Sequence, residues 1–390
     1  MPSLDDDHTG ARIRRYRKLA RLTQRELAAR IPYSYSLINQ VECGARPASA
    51  DLVTAVAAAL RVDVSTLTGA AAAELLLSRR AALLRPVREA LALFDIAPDP
   101  VQPVRPVLAL SADADHVCWQ VRATRLRAAA QVLPELIADL THLVLTAPTT
   151  EAWRALASTY RTAHDIALKW RYRDLAALAL DRMGWAADRA NDPCLAAIRN
   201  YKRALGWQGS PLGLRLVEAG HQILKGHSSR EALAVAGQVH LGGSAVAARA
   251  GDAAGVERHI GAAHELAARV GGEAREIHWL SFGHLNVQLH ALGAAITMCQ
   301  WDDALQQART VKLPPSTLTS RRARYLVDRA LVEMETGLGE TSLRHLAEAR
   351  HVAPEQTRYH PRTRETVRGL LHTTRRPTEE LSRMAAWVVV

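Results

Sequence analysis

A cluster of polar side chains occurs between residues 35 and 40, in the segment Y-S-L-I-N-Q-V-E. If this segment is helical, its outward side carries four polar residues: Tyr35, Ser36, Asn39 and Gln40. The opposite side is apolar, because it carries Leu37, Ile38 and Val41. The carboxamides of Asn39 and Gln40 suit adenine, since each can pair with both N6 and N7. A short helix with these residue types at this spacing could form hydrogen bonds with the edges of DNA bases.

The residues before this segment supply a second helix and a turn that can position it. The hydroxyl of Thr23 can cap the helix T-Q-R-E-L-A-A-R-I, and Glu26 three residues later completes a capping box. Pro32 ends that helix, because proline lacks an amide hydrogen and pushes Ile31 out of the α region. Ser34 can then cap the next helix. Two short helices joined by a tight turn predict a helix-turn-helix.

The segments L-T-Q-R-E-L-A-A-R and S-Y-S-L-I-N-Q-V-E-C-G-A-R-P-A-S closely resemble the Cro/repressor-like (XRE) family of DNA-binding domains. That family usually has glycine in the turn where this chain has Pro32, so the turn must take a different path. From Gly10 to Gly69 the sequence divides into about five short helical segments. The resemblance implies that they form one domain over residues 1–70 that binds double-stranded DNA. It implies that the DNA contacts come from these residues: Gln24, Ser34, Tyr35, Ser36, Asn39, Gln40 and Arg46.

Two further roles follow from the resemblance. It places Gln24 on a backbone phosphate and Arg46 on a phosphate or in the minor groove. Arg17 and Glu42 match positions that form a structural ion pair between the first and third helices. The alternative for this pair is two solvated charges on the surface of the domain.

Composition sets the broad class of the protein. The 390 residues, of mass 42.6 kDa, are too many for one small core, so at least two domains are expected. Alanine and leucine dominate and aromatic residues make up only 5%, which favours an all-α chain. The net charge of +11 is compatible with a polyanionic partner, although many cytosolic proteins are equally basic.

Cysteine spacing and hydropathy indicate the compartment. The four cysteines lie far apart, so neither a zinc cluster nor a disulfide framework is expected: Cys43, Cys118, Cys194 and Cys299. The N-terminus has no basic region followed by an apolar run, and no stretch approaches the roughly 18 apolar residues of a membrane span. We therefore expect a cytoplasmic protein without a membrane segment.

The remainder of the chain is predicted to be helical. Residues 71–114 are interpreted as connecting helices and a linker, because I-A-P-D-P-V-Q-P-V-R-P-V contains four prolines. Residues 115–390 form helix pairs around glycine turns such as Gly251 and Gly337, a pattern typical of an α-solenoid. The pairs resemble degenerate tetratricopeptide (TPR) repeats. The whole chain is similar to actinobacterial regulators that join an XRE-type helix-turn-helix to a TPR-like domain.

A candidate effector site lies in the solenoid. A helix expected over residues 276–292 carries four residues at successive i+4 steps: His278, Phe282, Asn286 and His290. A carboxamide such as that of Asn286 can donate to and accept from one peptide unit, as a peptide-binding groove requires. The alternative is that these polar groups are satisfied within the core and hold helix pairs together.

No catalytic motif stands out. His264 and Glu265 are not followed by a second histidine at the spacing of a zinc protease, and no phosphate-binding glycine loop occurs. We therefore expect no enzyme, no cofactor and no metal site.

The favoured hypothesis is a sequence-specific transcriptional regulator that binds a palindromic operator as a homodimer. Its TPR-like domain dimerises, senses a signalling peptide, small molecule or protein partner, or does both. The alternative is an interaction or peptide-receptor protein that acts on a protein partner, with a vestigial helix-turn-helix. The complete set of polar side chains on the third helix counts against that alternative.

Overall fold

The structure is a computed structural model that describes residues 8–96, 105–374 and 377–388, and within residues 70–77 only the backbone. Over these ranges the chain forms 21 α-helices and no β-strand, apart from an isolated bridge between Ala274 and Phe282. The all-α prediction is therefore confirmed. Most of the proline-rich segment predicted to be a linker lies outside the described residues.

The N-terminal domain contains five short helices, as predicted. They are α1 (Thr9–Leu19), α2 (Gln24–Ala28), α3 (Tyr35–Glu42), α4 (Ala50–Leu60) and α5 (Val64–Thr68). Their core is a separate apolar cluster that includes Ile13, Leu27, Ile38, Val41, Leu52, Val56 and Leu67. Helix α1 crosses α3 closely at Gly10, where an added Cβ would lie 1.8 Å from the carbonyl oxygen of Val41.

Helix α6 (Ala70–Ala92) is one continuous helix and joins the larger core of the chain. Its residues Leu84, Val87 and Leu91 are buried in the same apolar cluster as the helices that follow. The C-terminal helical region therefore begins in α6, because the apolar face of that helix is buried against its neighbours. Residue 115, where the repeat domain was expected to begin, lies inside helix α7 (Val107–Arg122).

The C-terminal region is a succession of helices packed in pairs. After α7 these are α8 (Leu126–Thr146), α9 (Thr150–Lys169), α10 (Arg173–Arg189), α11 (Pro193–Gly206), α12 (Pro211–Ile223), α13 (Arg230–Ala250), α14 (Ala253–Val270), α15 (His284–Thr297), α16 (Trp301–Thr310), α17 (Thr319–Glu335), α18 (Gly339–Val352), α19 (Pro354–Arg358), α20 (Pro361–Thr373) and α21 (Glu379–Val388). The first helix of each pair contacts the first helix of the next, from α7 through α9, α11, α13 and α15 to α17. This arrangement is compatible with the expected solenoid.

The array closes on itself, because α17 also contacts α7. Distant segments meet at this closure: Lys169 of α9 donates a hydrogen bond to Gln356 of α19, and the guanidinium of Arg80 lies 4.0 Å from the ring centroid of Tyr359. Helices early and late in the sequence are therefore in direct contact.

One described helix, α8, is long and apolar enough to span a membrane by length and composition. More than half of its apolar window, 56%, is buried inside the fold, and Leu133, Ile137 and Leu140 are inaccessible to solvent. Its packing against α6, α7 and α9 is that of a core helix.

The helix expected over residues 276–292 is wrong in its first part, because α14 ends at Val270 and α15 begins only at His284. Gly271 and Gly272 both have positive φ and end α14. The buried ring of Phe282 lies against α13 at Gly237, where an added Cβ would lie 1.9 Å from Cζ. Burial of an aromatic ring is worth about 1.5 to 3 kcal/mol, which exceeds the helix propensity of a few residues.

A buried carboxylate links three of the inner helices. Asp165 of α9 accepts hydrogen bonds from Arg122 Nη2 of α7 (2.8 Å) and from Lys202 Nζ of α11 (2.6 Å). The three side chains are only 14%, 6% and 12% exposed, in the order Arg122, Asp165, Lys202. Burial opposes ionisation of Asp165, but the two cations outweigh it and hold the pKa of that carboxyl well below its usual range.

Replacing Asp165 with asparagine would leave two cations buried without a counterion. We expect D165N to lower the free energy of unfolding of the C-terminal region by about 3 to 5 kcal/mol at neutral pH. All eight tryptophans follow residue 118, so denaturant unfolding monitored by tryptophan fluorescence reports on this region. Because folding lowers the pKa of Asp165 from 3.8, its contribution is fully present above that pH and is lost as the pH falls below it.

The matched control is D174N, which removes the carboxylate of an exposed pair with Arg88, 48% and 66% exposed for Arg88 and Asp174. An exposed pair contributes about 0 to 1 kcal/mol. If D165N were no more destabilising than D174N, the buried network would not hold these helices together.

Candidate nucleic-acid interface

Side-chain hydrogen bonds cap the N-termini of helices α2 and α3. Thr23 Oγ1 accepts from the backbone N–H of Glu26 (3.2 Å), and Glu26 Oε2 accepts from the N–H of Thr23 (2.6 Å), which completes the capping box. Ser34 Oγ accepts from the N–H of Leu37 (3.3 Å) and caps α3. These caps satisfy backbone donors that have no partner within the helix.

The turn between the two helices accommodates Pro32 without strain. Ile31 N donates to Ala28 O (3.4 Å), and Tyr33 N donates to Ile31 O (2.8 Å). Between Ala29 and Ser34 no residue has a positive φ. The turn therefore follows a path that proline allows, in place of the left-handed residue for which glycine is usually required.

The outward side of α3 is polar and accessible. Ser34, Ser36, Asn39 and Gln40 are exposed, as is Arg46 beyond the helix. The ring of Tyr35 is 46% exposed and lies 5.7 Å from the guanidinium of Arg25 on α2. The structure thus brings the predicted base contacts onto one face, with arginine side chains beside them.

An ion pair inside the domain fixes α3 relative to α1. Arg17 Nε donates to Glu42 Oε1 (2.6 Å) and Arg17 Nη2 donates to Glu42 Oε2 (2.7 Å), with side chains only 9% and 1% exposed. Arg17 Nη1 also donates to the carbonyl of Leu22 (2.6 Å). The hydrogen bonding that Arg17 donates to the carboxylate of Glu42 is the main reason that the pKa of Arg17 is raised. Two parallel bonds between planar groups define orientation as well as distance.

Gln24 extends this network to the start of α2. Its Nε2 donates to Glu42 Oε2 (2.7 Å), and the side chain is half-buried. The amide nitrogen carries a second hydrogen that can reach a phosphate. Gln24 therefore connects α2 to the Arg17–Glu42 pair of α1 and α3.

The four residues expected to bind an effector do not share one surface. His278 lies in the loop before α15, where its Nε2 is 2.7 Å from the carboxylate of Glu231, and Phe282 is fully buried. Asn286 is buried and donates to Gln238 Oε1 (3.0 Å), while His290 lines a cavity farther along α15. The expected stripe is absent because the segment that carries His278 and Phe282 is a loop.

The cavity beside His290 has a volume of about 270 Å³. Three arginines line it, Arg321, Arg324 and Arg362, with a single carboxylate, Asp328. Arg324 Nε lies 2.8 Å from Asp328 Oδ2, and Arg362 Nη1 lies 2.7 Å from Asp328 Oδ1. Burial opposes ionisation of Asp328, but the two arginines outweigh it and lower its pKa to about 2. Arginine side chains therefore outnumber carboxylates in the lining of this cavity.

A group of three histidines was not singled out from the sequence. His221, His240 and His259 lie on α12, α13 and α14, and their ring nitrogens approach one another. The one available signal was the interval of 19 residues, which separates His240 from His259 and also His221 from His240. That interval becomes meaningful only once the three helices are known to be neighbours.

A short helix with an exposed polar face, capped and held by a buried ion pair within a five-helix core, defines a helix-turn-helix DNA-binding domain. Residues 8–75 match the family model described as a helix-turn-helix domain. The chain is also 39% identical over 80 residues to the propionyl-CoA carboxylase regulator of Cereibacter sphaeroides. That similarity covers 20% of this chain and 17% of the relative. No solved structure matches the chain. Together these findings support a DNA-binding regulator.

The ion pair can be tested by removing its carboxylate. In E42Q the guanidinium of Arg17 would stay buried without a counterion, and we expect the domain to lose about 3 kcal/mol of stability. No tryptophan precedes residue 119, so hydrogen exchange of the α3 amides, measured by mass spectrometry, is the suitable readout.

The matched control is E89Q, which removes the carboxylate of an exposed pair with Arg85 on α6, 80% and 58% exposed for Arg85 and Glu89. We expect α3 exchange in this variant to remain as in the wild type. A change in E42Q below about 0.5 kcal/mol would mean that Arg17 and Glu42 behave as solvated charges.

Proposed function

We propose that the protein is a cytoplasmic transcriptional regulator whose XRE-type domain inserts α3 into the major groove of DNA. The observation that carries this proposal is the face of α3: polar side chains are exposed along a helix whose orientation is held by the Arg17–Glu42 pair. We expect no catalytic activity. The curated relative is by name a regulator, which agrees with this role.

The side chains divide into two kinds of DNA contact. Asn39 and Gln40 have the donor and acceptor pattern that pairs with adenine, so we assign them to base edges. Arg46 and Gln24 flank the helix, and we assign them to phosphates, where contacts fix the position of the protein but not its sequence preference. Tyr35 and Ser36 are exposed at the start of the same helix.

A homodimer follows from the size of α3. The helix has eight residues and can contact only a few base pairs, too few to select one site in a genome. Two copies related by a two-fold axis would double the site, with half-sites about 34 Å apart. We propose that the C-terminal helical region supplies the dimer contact.

We further propose that the arginine-lined cavity next to α15 and α17 binds an effector. Its three guanidinium groups and one carboxylate favour a ligand with an anionic group, such as the terminal carboxylate of a short peptide. A second, smaller cavity adjoins it through Leu289 and Arg321 and is lined by Asn286. Asn286 Oδ1 is buried and has no hydrogen-bond partner among the described residues, so it offers an acceptor to a peptide N–H.

Selection of genomic DNA fragments by the purified full-length protein, followed by footprinting, tests the DNA-binding role. We expect an enriched site with two protected half-sites related by symmetry. N39A should then cost about 1 to 3 kcal/mol of binding at one base pair, because one bidentate contact is lost. R46A should weaken specific and random DNA alike at constant salt, because its expected contact is to phosphate.

The two variants serve as controls for one another, since both residues are exposed and neither should affect folding. No enriched site would favour the alternative of an interaction protein with a vestigial DNA-binding domain. A single protected half-site would contradict the dimer. Equal loss of specific and random binding in N39A would mean that Asn39 does not contact a base.

The effector cavity can be tested with a defined pool of short peptides, each in a free-carboxylate and an amidated form. We expect the wild-type protein to retain free-carboxylate peptides in affinity-selection mass spectrometry, and R324Q to lose them, because one guanidinium lining the cavity is removed. The control R344Q changes an exposed arginine on α18 outside the cavity. Equal retention of both peptide forms would show that the cavity does not select an anionic group.

A further inference from the structure

Three consecutive helices, α12, α13 and α14, each contribute one histidine to a common cluster. His221, His240 and His259 are half-buried, so their rings are held by the protein and still reachable from solvent. The ring centroids of His221 and His240 are 4.0 Å apart, and those of His240 and His259 are 5.3 Å apart. The cluster lies outside both the DNA-binding domain and the arginine-lined cavity.

The spacing of the ring nitrogens suits a metal ion. One nitrogen from each histidine can be chosen so that all three lie within 4.8 Å of one another, and the Nδ1 atoms of His240 and His259 are 3.0 Å apart. Zinc binds imidazole nitrogen at about 2.0 to 2.1 Å, so two nitrogens of a tetrahedral site lie about 3.3 Å apart. The pair of Nδ1 atoms at 3.0 Å is close to this separation, and the nitrogen of the third ring lies within 4.8 Å of its partners.

The backbone makes room for this arrangement at Gly243 of α13. A Cβ placed there would lie 2.5 Å from Cε1 of His259, so any side chain at this position would displace the ring. Gly243 therefore allows the His259 ring of α14 to approach α13 and reach His240. The cluster therefore combines histidines from three helices with a glycine that leaves space for the ring of His259.

The histidines are available as neutral donors. Burial lowers the pKa of His240 to about 3, with His221 and His259 as smaller causes, and burial is also the largest cause of the lowered pKa of His221 and His259. The charged neighbours are Glu218 near His221, and Asp252 and Arg258 near His259. Neutral imidazole is the form that binds metal.

Among the described residues, the ring nitrogens of the cluster do not all have hydrogen-bond partners. The close contact between His240 and His259 can be one hydrogen bond, in which one Nδ1 donates and the other accepts. His221 Nε2 is buried and has no hydrogen-bond partner among the described residues. A buried polar atom without a partner is costly, and coordination to a metal ion is one way to satisfy an imidazole nitrogen.

We propose that His221, His240 and His259 bind one divalent transition-metal ion, with Zn²⁺ as the best match. Three imidazole nitrogens favour zinc, copper or nickel over magnesium or calcium, which prefer oxygen ligands. Three protein ligands leave a fourth position for water or another ligand. The ion joins α12, α13 and α14, so it stabilises the middle of the helical array in the folded state. This inference goes beyond the proposed DNA-binding role and does not depend on it.

Metal binding can be measured on the full-length protein, prepared without a histidine tag and freed of metal with a chelator. We expect isothermal titration with Zn²⁺ to give one ion per chain and Co²⁺ to give the visible d–d bands of a tetrahedral site. Zn²⁺ should also raise the melting temperature. H240A should weaken Zn²⁺ binding by at least about 100-fold, because losing even an outer-shell partner typically costs 10- to 100-fold.

The matched control is H227A, which removes an exposed histidine from the loop between α12 and α13. It should bind Zn²⁺ as the wild type does. H259A removes a second ligand, so the test remains valid if H240A fails to fold, as judged by circular dichroism without metal. The proposal is overturned if the wild type binds less than one ion per chain, or if H259A binds Zn²⁺ as tightly as H227A.

Discussion

The orientation of α3 depends on one buried ion pair, between Arg17 and Glu42. A buried pair of this kind adds little net stability compared with apolar residues of the same volume, because both charges must lose their hydration. Its value lies in geometry, since two parallel hydrogen bonds allow a narrow range of angles between α1 and α3. Gln24 binds the same carboxylate and brings α2 into that arrangement. These bonds hold α3 from its buried side. The opposite, exposed face is not needed for packing and can therefore be polar.

A buried ionic network also links helices of the C-terminal region. Asp165 is the carboxylate shared by Arg122 and Lys202, from three different inner helices. The arginine-lined cavity also has one shared carboxylate, Asp328, which leaves a net positive charge on the lining. An excess of buried positive charge is unfavourable by itself, so a site of this composition gains most from an anionic partner. The histidine cluster is a third polar group in the array, but it is neutral and suits a cation.

Local patterns in the sequence were sufficient to predict the helices and the turn of the helix-turn-helix. Capping by Thr23 and Ser34, the turn imposed by Pro32, and apolar spacing all act within a few residues, so each can be recognised without knowledge of the fold. The exposed side of α3 followed from the same spacing. The Arg17–Glu42 pair, in contrast, joins residues 25 positions apart and came only from the family resemblance.

The sequence by itself determined the helical class, the five N-terminal helices and the polar face of α3, because these depend on propensity and periodicity over short segments. Tertiary structure decided what happens between distant segments. Phe282 lies in a loop because its ring fits against Gly237, a contact that outweighs the local helical pattern. Likewise, His221 and His259 become neighbours only when α12, α13 and α14 pack together. Such contacts depend on the positions of whole helices, which no short stretch of sequence contains.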